Sequence, residues 1–133
     1  MADIKIVKEW LFEADEDFGF ASVGLANQDR FFGRICFLFQ QAAEKYLKAF
    51  IVANNLPFKK IHDLPQLLKI CRQKEESFKM LFEEAKFLTD FYIDTRYPAF
   101  WPVGRTRKEA ENAQKAAKTI GDFVKEKIGG KYK

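Results

Sequence analysis

The stretch from Phe31 to Asn54 constrains this chain more than any other feature. Phe32, Ile35, Phe37, Leu38, Phe39, Ala42, Ala43, Tyr46, Leu47, Ala49, Phe50 and Ala53 cover most of the circumference of a helix drawn through it. A helix apolar nearly all round has to be enclosed by others. Its polar members Arg34, Gln41, Lys45 and Lys48 fall within about 60° of one another at 100° per residue. They form one stripe, with Glu44 at its margin. The longest uninterrupted aliphatic and aromatic run, Ile35 to Phe39, is far short of the roughly 20 residues a bilayer-spanning helix needs. The enclosing layer must therefore come from other helices, and no membrane contact is expected.

Those other helices are readable. Four Pro and seven Gly punctuate 133 residues, and they cluster between segments of helical period, which predicts an all-α fold with short connections. Val7, Trp10, Leu11, Ala14, Phe18, Ala21 and Leu25 recur at three- and four-residue steps and make a first amphipathic helix. Asn27 to Arg30 connects it to the second, which Asn54-Asn55-Leu56-Pro57 closes, because the residue before proline is biased out of the helical region. A third helix opens with Asp63 as N-cap, Pro65 in the first turn and Gln66 completing a capping box, and ends near Gln73. A fourth is predicted from about Ser77 to Asp94, with Phe78, Leu81, Phe82, Ala85, Leu88 and Tyr92 as its core stripe. A fifth is predicted from about Thr106 to Ile128, stopping at Gly129-Gly130. Short links make neighbours antiparallel, so the expected architecture is an up-and-down bundle of about five helices. One domain over residues 1–128 and a disordered tail over 129–133 complete this reading.

Met80, Phe87 and Phe91 project from nearly the opposite side of the predicted fourth helix, and fifteen Phe exceed the needs of one small core. The stripe is the expected interface of a homodimer, with packing beneath the Pro98 to Pro102 stretch as the alternative. Cys36 and Cys71 lack metal or redox spacing and read as small core residues in a reduced compartment. Charged residues among the first ten positions do not fit the apolar stretch of a secretory signal, so none is expected and the expected location is cytoplasmic. Of the net charge of +4, residues 105–133 carry nine Lys/Arg against four Asp/Glu, an imbalance suited to phosphate-bearing partners.

Catalytic signatures are absent: no glycine-rich phosphate loop, no Gly-x-Ser-x-Gly, no His-Glu-x-x-His, and a single histidine, His62. No metal site and no cofactor are expected. Trp10, the run Phe39-Gln40-Gln41-Ala42-Ala43-Glu44-Lys45-Tyr46-Leu47-Lys48-Ala49, the opening Ile61-His62-Asp63-Leu64 and the later Arg96-Tyr97-Pro98 together resemble the HEPN family over nearly the whole chain. The resemblance implies a small helical bundle, commonly a homodimer, associated with nucleotide or RNA binding. It also implies a place beside a minimal nucleotidyltransferase in a toxin–antitoxin pair. Many HEPN proteins that cleave RNA carry an arginine followed by histidine after four to six intervening residues. Here Trp101, Pro102 and Val103 stand at those positions, so the resemblance does not carry the nuclease.

Phosphate recognition is what remains. Arg96 offers a planar donor fork, Arg34, Gln41, Lys45 and Lys48 add the polar stripe, and Tyr97 offers a ring for base stacking. Each has a structural alternative: Arg96 as an ion-pair partner of Asp90 or Asp94, the helix-two stripe as an interhelical network anchored by Glu9 or Glu13. His62 and Arg96 are the candidates for acid–base and charge-stabilising roles should RNA be cleaved. A non-catalytic interaction module is the third class of function.

Overall fold

The structure, a computed structural model, describes residues 2–96 and 105–132, with the side chains of 93–96 outside the description. Five α-helices follow one another: α1 (Ile4–Asn27), α2 (Phe32–Ala53), α3 (Leu64–Cys71), α4 (Phe82–Arg96) and α5 (Arg107–Lys127). Short 3₁₀ segments cover Glu76–Leu81 and Gly130–Tyr132. No strand occurs among the described residues.

Residue pairs fix the directions. Gly24 lies against Ile35, Phe18 against Phe39, and Lys45 against Asp17, so α1 and α2 are antiparallel. Phe37 meets Tyr92 and Phe50 meets Phe78, which sets α4 antiparallel to α2. Phe78 meets Phe123 while Arg105 lies over Phe91, which sets α5 antiparallel to α4. The result is the up-and-down bundle that the short connections predict, with α3 at its side. The apolar helix α2 touches each of the other four helices, and Phe39, Ala42, Ala43, Leu47, Ala49 and Ile51 are wholly buried.

Capping chemistry sets the helix starts. The Asp63 carboxylate accepts from the Gln66 amide at 3.0 Å, with Pro65 in the first turn. At α5, Thr106 Oγ1 accepts from the Glu109 amide at 3.1 Å and Glu109 accepts in return from the Thr106 amide at 3.0 Å, a reciprocal capping box. Where α2 crosses α5, the Tyr46 ring occupies the space a side chain at residue 121 would need: a Cβ on Gly121 would stand 2.7 Å from the ring. The Tyr46 hydroxyl donates to Asp15 on α1, and Lys125 on α5 reaches the same carboxylate at 2.8 Å. One phenol thus ties three helices.

Three expectations are corrected. The fourth helix does not begin at Ser77: Glu76–Leu81 winds as 3₁₀ and α4 starts at Phe82. With 3.0 residues per turn, each step there rotates about 20° further than in an α-helix, and the buried face shifts. Phe82 becomes exposed while Phe91 enters the core at 2% exposure. The stripe Met80, Phe87, Phe91 therefore does not exist as one surface. Met80 projects from the 3₁₀ turn, and Phe91 packs edge-on to Phe87 beneath the Arg105 guanidinium; the Pro98 to Pro102 stretch of the packing alternative lies outside the described residues. Finally, the tail is not disordered through Tyr132. Gly129 adopts φ +102°, a left-handed conformation that favours glycine, and the turn it starts buries the Tyr132 ring.

Candidate functional site

The polar stripe of α2 divides into three parts. Lys45 pairs with Asp17 at 2.7 Å and approaches Glu13 at 3.7 Å on α1, so it clamps α1 to α2 in an interhelical network with Glu13 as one anchor. Lys48 is buried and bonded to Glu44, one turn earlier, at 2.8 Å. Arg34 is exposed at the start of the helix. A rise of 1.5 Å per residue places Lys45 and Lys48 about 16 and 21 Å along the axis from it. Two of the three cations are neutralised by carboxylates, and the single anion pocket that the stripe suggested is not formed by them.

Glu44 is the centre of a second cluster. Its buried carboxylate accepts from Lys48 Nζ at 2.8 Å, from Gln40 Nε2 at 3.3 Å and from His62 Nδ1 at 3.0 and 3.1 Å to its two oxygens. A carboxylate held by a lysine only accepts, so Nδ1 carries the hydrogen. The backbone fixes the histidine as well. Gln40 Nε2 donates to the His62 carbonyl at 3.3 Å, and Thr89 Oγ1, on α4, donates to the same carbonyl at 3.4 Å while accepting from the Leu64 amide at 3.0 Å. The imidazole lies flat on Tyr92, with centroids 4.1 Å apart and planes inclined by 14°. Its side chain is 43% exposed whereas that of Glu44 is 6%. A solvent-facing imidazole backed by a buried carboxylate is the orientation that acid–base chemistry uses. Gln40, which sequence reasoning missed as a site residue, joins this cluster to the α3 entry. Its i, i+4, i+8 spacing with Glu44 and Lys48 was the signal. The side-chain oxygens of Gln40 and Gln41 are buried without a partner.

Arg96 is the last residue of α4, one helical turn beyond Tyr92. Because Tyr92 stands opposite Phe37 on an antiparallel neighbour, the Arg96 backbone comes level with the first turn of α2, where Arg34 lies. The arginine side chain and Tyr97 lie outside the described residues. At the same end, Arg107 donates to the carbonyls of Leu25 and Gln28 at 3.0 and 2.7 Å. Arg105 bonds Glu109 at 2.7 Å. Burial tends to raise the Glu109 pKa, but the hydrogen bonds from Arg105 and Thr106 outweigh it and hold this carboxyl below its ordinary value. The thiols of Cys36 and Cys71 are pushed up to about 12 by burial, so neither is a nucleophile. Among the described residues no group of His, Cys, Asp or Glu is gathered as a metal site, and no helix is long and apolar enough to cross a membrane.

A sequence profile of the HEPN domain matches residues 7–127. The chain belongs to the HEPN family. Among solved structures, TT1696 from Thermus thermophilus is 34% identical, covers 90% of this chain and 96% of its own, and superposes with a TM-score of 0.80. ST0689, an archaeal HEPN homologue, is 24% identical, covers 92% of this chain and 98% of its own, and superposes at 0.73, a likeness of fold. No curated protein matches. In this HEPN chain the two most telling segments, Phe39–Ala49 and Ile61–Leu64, meet in space through the Glu44 to His62 hydrogen bonds. The spacing that carries the resemblance is thus the spacing that builds the buried cluster.

Proposed function

We propose that this HEPN protein binds the phosphate of a nucleotide or RNA at the end of the bundle where α4 finishes and α2 begins. Arg96 and Arg34 are its cations, and Tyr97, the next residue in sequence, and the Tyr92–His62 stack supply rings for a base. The observation that supports this reading is the contrast among cations. Lys45 and Lys48 are matched to carboxylates, whereas exposed Arg34 reaches none among the described residues and lies level with the backbone of Arg96. A guanidinium fork suits phosphate, and ring faces accept bases irrespective of sequence. The family context adds a minimal nucleotidyltransferase as partner in a two-component toxin–antitoxin module, and a cytoplasmic setting.

The test is a titration of the purified chain with ATP and with a short single-stranded RNA at two salt concentrations. Binding is expected to weaken with salt, and Arg96→Ala and Arg34→Ala each to lower affinity about tenfold, in line with about 1.4 kcal/mol per lost contact. Lys45→Ala should leave it unchanged. Absence of binding, or arginine variants equal to wild type, defeats the proposal. Co-purification from the native host asks whether a nucleotidyltransferase accompanies the chain.

The His62–Glu44 geometry favours one second reading, RNA cleavage with His62 as acid or base and Arg96 stabilising the phosphorane. It requires that cleavage of RNA in the presence of a chelator appear with wild type and vanish with His62→Ala.

A further inference from the structure

Where α1 ends and α2 begins, the two helices do not close fully on each other. A depression of about 410 Å³ lies between them, a size found among small-molecule sites. Its border is carbon for the most part: Phe20, Val23, Phe31 and Leu38, together with buried Ala21 and Ile35. Phe20 and Val23 are 73% and 61% exposed, so the chain itself leaves this wall uncovered. Phe31 holds φ 71°, a left-handed backbone that an aromatic residue rarely adopts. That conformation sets its ring on the border of the depression, beneath the Arg30 guanidinium at 4.2 Å. Backbone strain of this kind clusters at ligand sites. Polar groups on the border are already engaged within the chain. Asn27 Nδ2 donates to the Val23 carbonyl at 2.9 Å, and the Gln28 carbonyl accepts from Arg107 at 2.7 Å. Arg34 is the exception. It is the one charged residue on the border, it is exposed, and it meets no acceptor among the described residues.

We infer that this depression binds a free single-chain amphiphile, an aliphatic chain with an anionic head. The chain takes the carbon wall, where each methylene removed from water is favourable, and the head meets the Arg34 guanidinium, whose planar fork suits a carboxylate. Charge complementarity selects the head. No acid borders the depression, so an anion meets no opposing charge there and an ammonium head would find no partner. The wall selects the tail. A base would bring donors and acceptors to a surface that is mostly carbon and lose their water partners, whereas an aliphatic chain brings none. The inference shares Arg34 with the phosphate reading and does not rest on it.

Calorimetric titration with butanoate, hexanoate and octanoate, all below micelle-forming concentrations, tests it. Affinity is expected to rise about fourfold per added methylene. Octan-1-ol, which lacks the charge, should bind about tenfold more weakly than octanoate. Arg34→Gln should bring octanoate down to the level of the alcohol while keeping the dependence on chain length. Val23→Asp, at an exposed position where the circular dichroism spectrum should not change, should remove that dependence. A chain that binds no octanoate, binds all three acids alike, or binds the alcohol as well as the acid overturns the inference. So does octanoate affinity unchanged by Arg34→Gln or by Val23→Asp. Sedimentation with phosphatidylglycerol vesicles separates a free amphiphile from a lipid surface: the protein is expected to stay in the supernatant, and pelleting overturns the assignment to a free ligand. Arg96→Ala should leave octanoate binding unchanged and Val23→Asp should leave ATP binding unchanged, so each of the two readings can fail alone.

Discussion

The seam between α2 and α3 and the outer face of α1 reverse the usual order of a globular protein. The seam puts Glu44, Lys48 and Gln40 inside; the face puts Phe12, Phe20 and Val23 outside. The buried charges are matched within the chain, ion to ion and amide to carbonyl, whereas the exposed rings have no covering group of their own. Matched charge indoors is architecture, even with the Gln40 side-chain oxygen left without a partner, and uncovered apolarity outdoors points beyond the chain. Residue type alone would have assigned these roles the other way round, since lysine and glutamate invite a ligand and phenylalanine invites a core.

The sharpest way to break this contrast is to unbalance the seam. Glu44→Gln leaves the Lys48 ammonium buried without its counter-charge, and urea unfolding should show a loss of about 3–5 kcal/mol. The double variant Glu44→Leu/Lys48→Met should lie much closer to wild type, because it removes both charges together. A double variant as unstable as the single one would show that the pair contributes more than mutual compensation.

Two glycines give the next comparison. Alanine at Gly121 would drive its Cβ into the Tyr46 ring, and the expected loss is about 1–3 kcal/mol, as for overpacking in a filled core. The same change at Gly19, where space is open, should raise the stability of the dilute chain by about 0.5–1 kcal/mol by improving the helix. Chemical denaturation of both variants at low protein concentration reads the opposite signs directly.

The smallest effect concerns acid. The Glu109 carboxyl is held below its ordinary value of 4.5. A depressed folded-state value contributes stability that is present above that pH and lost as pH falls through the folded value. As pH falls below about 4.5, wild type should therefore lose stability faster than Glu109→Gln by less than about 1 kcal/mol, given a partly exposed group. Parallel acid titrations of the two unfolding curves decide it.

Much of the fold was legible because period and punctuation were unambiguous. The all-round apolarity of α2 predicted its central place, Asp63 and Pro65 marked the α3 start, and Gly129 marked the end of α5. What failed was phase. A 3₁₀ segment at Glu76–Leu81 carries no strong sequence signature, and its tighter winding exchanged Phe82 for Phe91 at the core. At the site, His62 and the α2 stripe were visible as residues but not as partners. Which carboxylate each cation meets depends on helix rotation and on contacts far apart in sequence, and period alone fixes neither. The α1 rings were in plain view too, yet a search for one apolar stripe per helix discards residues that fall off it.

The phenol that ties α1, α2 and α5 gives the molecule an alkaline weak point. Burial first, and then the hydrogen bond and charge of Asp15, push the Tyr46 ionisation well above the usual tyrosine value of 10.0. In the denatured chain that proton leaves at the ordinary pH; in the native one it cannot. Above about pH 10 each further unit therefore favours the denatured form by about 1.4 kcal/mol through this one hydroxyl, so the same knot that secures the bundle in neutral water helps undo it in strong base.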